Sequence, residues 1–261
     1  MKILSLKTYV DADNGRTVEA VENLNVALRL NNMANDHVTL IGELVEIAST
    51  NILSNNLSEL RASGVDLSES YKLLAEDLNT AHDTQLNTID GERHFFGNWV
   101  YDKLINSPND LKSEDLKFLF GDGIGEITKA EAKEHYTKYL KAMMEVRELM
   151  EEPYYVNSDK LKGVIKSVQS EYLMEQLLPA YDSIYKNFHE SQSLLEKNLL
   201  AIKVSEYERQ HGVKPESLKD LDVPDDYLID NITGKPFLIL NTIDGDEIIS
   251  HIDDESGGFK L

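Results

Sequence analysis

From Thr17 to Gln210 apolar residues return every three or four positions, and this period, more than any other feature, limits what the chain can fold into. Val18, Val21, Leu24 and Leu28 form the stripe of a helix predicted over Thr17 to about Met33. Asp36 is placed to cap the next, in which Ile41, Leu44, Val45, Ala48 and Ile52 follow at helical spacing to about Ala62, with Gly64 as the stop. Asp66-Leu-Ser-Glu69 has the form of a capping-box variant for a helix with the stripe Leu67, Tyr71, Leu74 and Leu78. Gln85 to Ile105 reads as helix and carries Phe95, Phe96, Trp99 and Tyr101, until Ser107-Pro-Asn-Asp110 breaks it. A short helix over Ser113 to Phe120 and a loop at Gly121-Asp-Gly-Ile-Gly125 come next. Thr128-Lys-Ala-Glu131 opens a helix whose apolar side is Tyr136, Tyr139, Leu140, Met143, Val146 and Met150, and Pro153 stops it. One more helix is predicted from about Asp159 to Leu178, with Pro179 kinking it or starting the last long helix, Ala180 to Gln210. Gly212 and Pro215 supply the expected C-terminal punctuation.

The two ends of the chain read differently. Met1 to Val10 alternates weakly and suits a strand or an arm, followed by a turn at Asp11-Ala-Asp-Asn-Gly15. Beyond Gly212, Pro215 to Leu221 suits one short helical turn. Tyr227 to Ile229, Phe237 to Asn241 and Glu247 to Ser250 suit short strands. The fold class expected is therefore mainly α: a multi-helix array or bundle with a small C-terminal α+β module of short antiparallel strands. Residues 1–179 form the helical domain, and residues 180–261 the long helix with the module.

The order of short signals in the last third resembles a known module. Leu200-Ala-Ile-Lys-Val-Ser-Glu-Tyr-Glu-Arg-Gln-His-Gly212 leads into Lys214-Pro-Glu-Ser-Leu-Lys-Asp-Leu221. Leu228-Ile-Asp230, Thr233-Gly-Lys-Pro-Phe237, Ile248-Ile-Ser250 and Asp253-Asp-Glu-Ser-Gly-Gly258 follow. This series is similar to the C-terminal module of the major pseudopilins of bacterial type II secretion. It resembles still more a group of uncharacterised bacterial envelope proteins that append the module to a helical domain. Leu40-Ile-Gly-Glu-Leu-Val-Glu-Ile-Ala48, Asp90-Gly-Glu-Arg93 and Leu178-Pro-Ala180 fit that second group. The usual Asp-Pro before the Thr-Gly-Lys-Pro turn is Asp230-Asn231 here, and the group's N-terminal anchor and the pilin cleavage motif are not found in this sequence. The resemblance implies an envelope or periplasmic setting, and attachment to a membrane only through an anchor this sequence lacks. A cytoplasmic location follows if Met1 is the native start.

Charge narrows the partners. The 261 residues carry 26 Lys and Arg against 47 Asp and Glu, a formal net charge of -21. A surface so acidic repels phosphate backbones and anionic lipid, which argues against nucleic acid and leaves a protein as the expected partner. With no cysteine, disulfides and thiolate chemistry are excluded, and no apolar run reaches the 18 residues of a membrane span.

Few residues carry a chemical signal. Asp244, Asp246, Asp253 and Asp254, with Glu255 and nearby glycines, offer hard oxygens on a glycine-rich loop, the donor set of calcium; the pseudopilin resemblance adds weight, because some of those proteins hold calcium there. No cofactor is required by any motif. Glu92, Arg93 and His94 could do acid–base work, but neighbours on a helix diverge, so a structural role for Glu92 and Arg93 is the expectation. Glu131 and His135 share a helix face, which a surface pair explains. Gly121 to Gly125 lacks the Lys-Ser/Thr of a phosphate loop, and the Phe95–Tyr101 aromatics suit a core. No catalytic residue is identified. The expected function is a non-enzymatic binding or scaffold protein of the envelope or a secretion system. The alternatives are a cytoplasmic partner-binding helical protein, or an enzyme with a carboxylate site assembled between helices.

Overall fold

A computed structural model describes residues 1–34, 37–107, 127–168, 178–242 and 245–250. The helices are α1 (Lys2–Asp13), α2 (Thr17–Ala34), α3 (Leu40–Ala62), α4 (Ser70–Gly91), α5 (Asn98–Asn106), α6 (Lys129–Leu149), α7 (Tyr154–Val168) and α8 (Pro179–His211). Two 3-10 turns, Leu218–Asp220 and Asp225–Leu228, lead to the strands β1 (Leu238–Thr242) and β2 (Gly245–Ile249). The strands pair antiparallel, with Ile239 opposite Ile248. The mainly helical array with a small strand module at its C-terminus is thus what the sequence period implies.

The helix at the N-terminus corrects the strand-or-arm reading of Met1 to Val10. In α1 the buried positions are Ser5, Thr8 and Asp11, whereas Ile3 and Leu6 are exposed. Because the inward face is polar, apolar spacing gives no helical signal there. Ser5 instead donates to Asn56 Oδ1 at 2.8 Å, and Asp11 accepts from Lys7, Arg16 and Asn23.

Caps explain most boundaries. Thr39 caps α3, its hydroxyl accepting from the Gly42 amide at 3.2 Å, and Asp36, the cap expected from the sequence, lies outside the described residues. Thr128 and Glu131 form the reciprocal box at the start of α6. Asp66 does not cap α4: its carboxylate accepts from the amide and hydroxyl of Ser68 in a local turn, and α4 begins only at Ser70. Between α4 and α5 the backbone stays helical but widens into a π-helical stretch, Glu92–Gly97. Widening shifts the phase of every later side chain. Tyr101 therefore lies in the core, while Phe95 and Trp99 face outward, which corrects the expectation that the whole aromatic cluster is core. Tyr227 lies in a 3-10 turn rather than a strand, and only Ile229 bridges to Pro236.

The 33 residues of α8 form the spine, roughly 50 Å long at 1.5 Å per residue. Its first turns bring Tyr181 and Tyr185 into a cluster with Tyr101, Tyr139, Met143 and Leu161. Midway, Leu195, Leu199 and Ile202 join Leu24, Leu57 and Leu74. Near its end, Leu200 and Val204 meet Leu221, Leu228, Phe237 and Ile248 of the C-terminal module.

Candidate functional site

The first half of α3 is turned inside out. Within Leu40 to Ala48 the aliphatic residues Ile41, Leu44 and Val45 are exposed, and the two carboxylates Glu43 and Glu46 are buried. The apolar spacing that predicted α3 is the spacing of its outer face. Glu43, Glu46, Ile47 and Thr50 form the inner one, against α2 and α4.

Burying two carboxylates needs compensation, and the surroundings supply it. His37, on the segment ahead of α3, places Nε2 2.6 Å from Glu46 Oε2 and 4.0 Å from Glu43 Oε2. Its other ring nitrogen, Nδ1, lies 3.1 Å from the Thr88 hydroxyl, which donates to Glu43 Oε2 at 3.3 Å. Neither carboxylate is paired with Lys or Arg among the described residues. The second oxygen of Glu43, Oε1, is buried with no hydrogen-bond partner. Burial and the neighbouring Glu46 push the Glu43 carboxyl up to about 7, against the opposing pull of His37 and the Thr88 hydroxyl. A second polar layer lies deeper, where Asn31 donates to Thr50 and Asp77, each at 3.3 Å.

Two close approaches hold His37 in place. Gly42 lies under its imidazole: a Cβ there would sit 2.6 Å from His37 Cγ. On α4, Gly91 lets the backbone meet residue 38, because a Cβ would come within 1.9 Å of the Val38 carbonyl oxygen. The next residue, Glu92, accepts from the Leu40 amide at 2.8 Å and so satisfies a free donor in the first turn of α3. The segment from 37 to 40 is thereby clamped by α4 through Thr88, Gly91 and Glu92.

The same clamp decides the fate of the other sequence candidates. Glu92 faces α3, Arg93 pairs with Asp90 at 3.0 Å, and Arg147 of α6 reaches the same Asp90 at 2.9 Å. Arg93 Nη2 and His94 Nε2 lie 3.2 Å apart at the surface, while Glu92 is engaged at the Leu40 amide, so the three do not form one site. The Glu131 carboxylate accepts from the Thr128 amide at 2.8 Å, a helix cap rather than half of a ligand pair with His135. Of the calcium candidates, Asp244, Asp253 and Asp254 lie outside the described residues, as do Gly121 to Gly125, and Asp246 is placed only by its register opposite Asn241. Sequence reasoning missed His37, Glu43 and Glu46. The available signal was a pair of carboxylates three residues apart inside an otherwise apolar run.

A second buried acid joins the C-terminal module to α8. Asp230 accepts from Ser193 at 2.6 Å and from Thr233 at 2.8 Å, and Asn231 donates to Glu196 Oε1 at 2.9 Å. Asn231 thus ties the module to α8 through its side-chain amide. Burial, then Asp230 and Asp226, holds the Glu196 carboxyl well above the usual carboxylate range.

Comparison with known proteins returns no match to a family, to a curated protein or to a solved structure.

Proposed function

We propose that the chain is a non-enzymatic binding or scaffold protein, associated with the bacterial envelope or a secretion system, that docks a protein partner on the outward faces of α1, α2 and α3. One observation carries this reading: apolar residues face outward on all three helices, and along α1 and the first half of α3 the buried positions behind them are largely polar. Ile3, Leu6, Met33, Ile41 and Val45 are each at least 60% exposed, and Thr8, Asn31, Glu43, Glu46 and Thr50 are buried behind them. Exposed apolar residues in such number cost solubility unless they are covered, so they mark an interaction surface.

Charge supports a protein occupant. Residues 1–62 hold five Lys and Arg against eight Asp and Glu, a net of -3 within the chain's -21. The apolar faces thus lie on a stretch that carries less than its share of the chain's negative charge, where an uncharged protein surface can approach without strong repulsion. No described helix is long and apolar enough to cross a membrane. The envelope setting rests on the resemblance of the C-terminal module alone. The buried triad of α3 is closed to a substrate, with Glu43 fully buried, which favours an internal role over turnover.

A photoreactive residue at Val45 or at Met33, in cells of the source organism, tests the docking face. Glu145, exposed on α6, is the control position. The expected result is one adduct protein shared by the first two positions and missing at the third. Equal labelling at all three, no adduct, or adducts of the chain with itself alone would overturn the reading.

A further inference from the structure

We propose that His37, Glu43 and Glu46 are the ligands of one divalent transition-metal ion, with zinc the best fit, held between the start of α3 and the end of α4. One ligand atom from each of the three lies within 4.8 Å of the other two. Donors of a tetrahedral zinc site lie roughly 3.3 Å apart, given metal–ligand distances of about 2.0–2.1 Å. The separations of His37 Nε2 from the two carboxylates, 2.6 Å and 4.0 Å, bracket that value, so small rotamer changes bring the set into range. One imidazole and two carboxylates suit zinc, manganese or ferrous iron better than calcium, which takes six to eight oxygens.

Two observations point to a cation rather than to a plain hydrogen-bonded cluster. The first is Glu43 Oε1, a carboxylate oxygen buried with no donor in reach, on a residue with no exposure. The second is the convergence of donors: His37 Nε2 lies 2.6 Å from Glu46 Oε2 and 4.0 Å from Glu43 Oε2, while Nδ1 lies 3.1 Å from the Thr88 hydroxyl. With its hydrogen on Nδ1, His37 turns the Nε2 lone pair toward both carboxylates, and a metal ion takes the place of the proton that otherwise joins Nε2 to Glu46, the donors moving apart to metal-bond distances. The same ion satisfies the orphaned Glu43 oxygen. Thr88 acts as the outer partner that orients the ligating histidine, an arrangement common at zinc sites. His37 is the exposed edge of the set, its side chain 13% accessible, and is the side from which an ion enters. The enclosed carboxylates fit a closed, structural ion that pins α3 to α4 behind the docking face.

Equilibrium dialysis of the chelator-treated full chain against zinc alone, with bound metal measured by mass spectrometry, tests the site. One zinc ion per chain is expected, with a rise in melting temperature that equal magnesium or calcium does not give, as binding to the folded state requires. Glu43→Gln and Glu46→Gln should each lower zinc affinity at least about 100-fold, and Thr88→Val about 10- to 100-fold through the orientation of His37. Glu131→Gln, on another histidine-bearing face, should leave zinc affinity unchanged. Should the carboxylate variants fail to fold, cobalt added to the parent chain still decides, through the visible absorption of a low-coordinate nitrogen–oxygen site. No bound zinc, zinc that leaves the melting temperature unchanged, affinity unaltered in Glu43→Gln, or cobalt with only its hydrated spectrum would each overturn the proposal. A proton alone would then bridge His37 and Glu46.

Discussion

At the scale of single residues, buried acids set the energetics. Glu196 has one oxygen bonded to Asn231 and the other, Oε2, buried without a partner. Its folded carboxyl titrates well above the unfolded value near 4.5, so the fold holds a proton that the unfolded chain releases. The contribution of Glu196 to stability is thus most favourable below the unfolded value, and it is lost as pH rises from there towards the folded value. The slope approaches about 1.4 kcal/mol per pH unit while one proton separates the two states. Glu196→Gln keeps an oxygen for Asn231 and removes the titration. Urea unfolding between pH 5 and pH 7 should show the variant gaining on the parent at each step, and parallel profiles would show that Glu196 is ionised in the fold. Glu92 makes a complementary case. Glu92→Gln retains an acceptor for the Leu40 amide, whereas Glu92→Ala leaves that donor unsatisfied and should cost about 1–2 kcal/mol in the same experiment. Equal midpoints for both variants would deny Glu92 its capping role.

Among the elements, α4 and its π-helical continuation organise the site, and Gly91 is where the packing is tightest. A methyl group there would meet the Val38 carbonyl oxygen, a backbone atom that yields only if the segment ahead of α3 moves. Gly91→Ala should therefore destabilise by about 3 kcal/mol, at the upper end of overpacking costs. It should also shift the His37 ring resonances; a variant as stable as the parent would mean the clamp is loose. Elements are also where the sequence was most and least legible. Helices α2, α3, α6 and α8 follow from apolar period and caps because both signals are local. The same period misplaces the inside of α3, since Ile41, Leu44 and Val45 look like a core stripe and are exposed. It fails outright for α1, whose inward face is Ser5, Thr8 and Asp11. Past Gly91 the π-helical turn breaks the phase that spacing relies on, so Phe95 and Trp99 emerge where a regular helix would bury them. The triad escaped because His37 meets Glu43 and Glu46 only through a bend before α3, and Thr88 belongs to a different helix. No spacing rule within one segment brings those four residues together.

For the molecule as a whole, the question is whether the C-terminal module folds with the helical array or beside it. Its contacts favour the first. Tyr227 of the module is buried in the cluster of Leu24, Leu57 and Leu74, and its hydroxyl donates to Asn79 of α4 at 3.0 Å. Asp230 and Asn231 bond to Ser193 and Glu196 on α8, and Phe237 packs against the same helix. Since α8 also supplies Tyr181 and Tyr185 to the cluster at the far end, loss of the module exposes apolar surface on an element every other part needs. We therefore expect one cooperative transition, and a truncated core residue in the module should be felt throughout. Phe237→Ala should cost about 3–5 kcal/mol, the usual range for removing a buried aromatic ring. The single tryptophan, Trp99 on α5, reports from the other end of the spine. In the variant, Trp99 fluorescence and far-UV circular dichroism should lose their signals together, at the same lowered urea concentration. If fluorescence instead kept the parent's midpoint while part of the dichroism melted early, the module would be an autonomous unit and α8 would transmit nothing between the two ends.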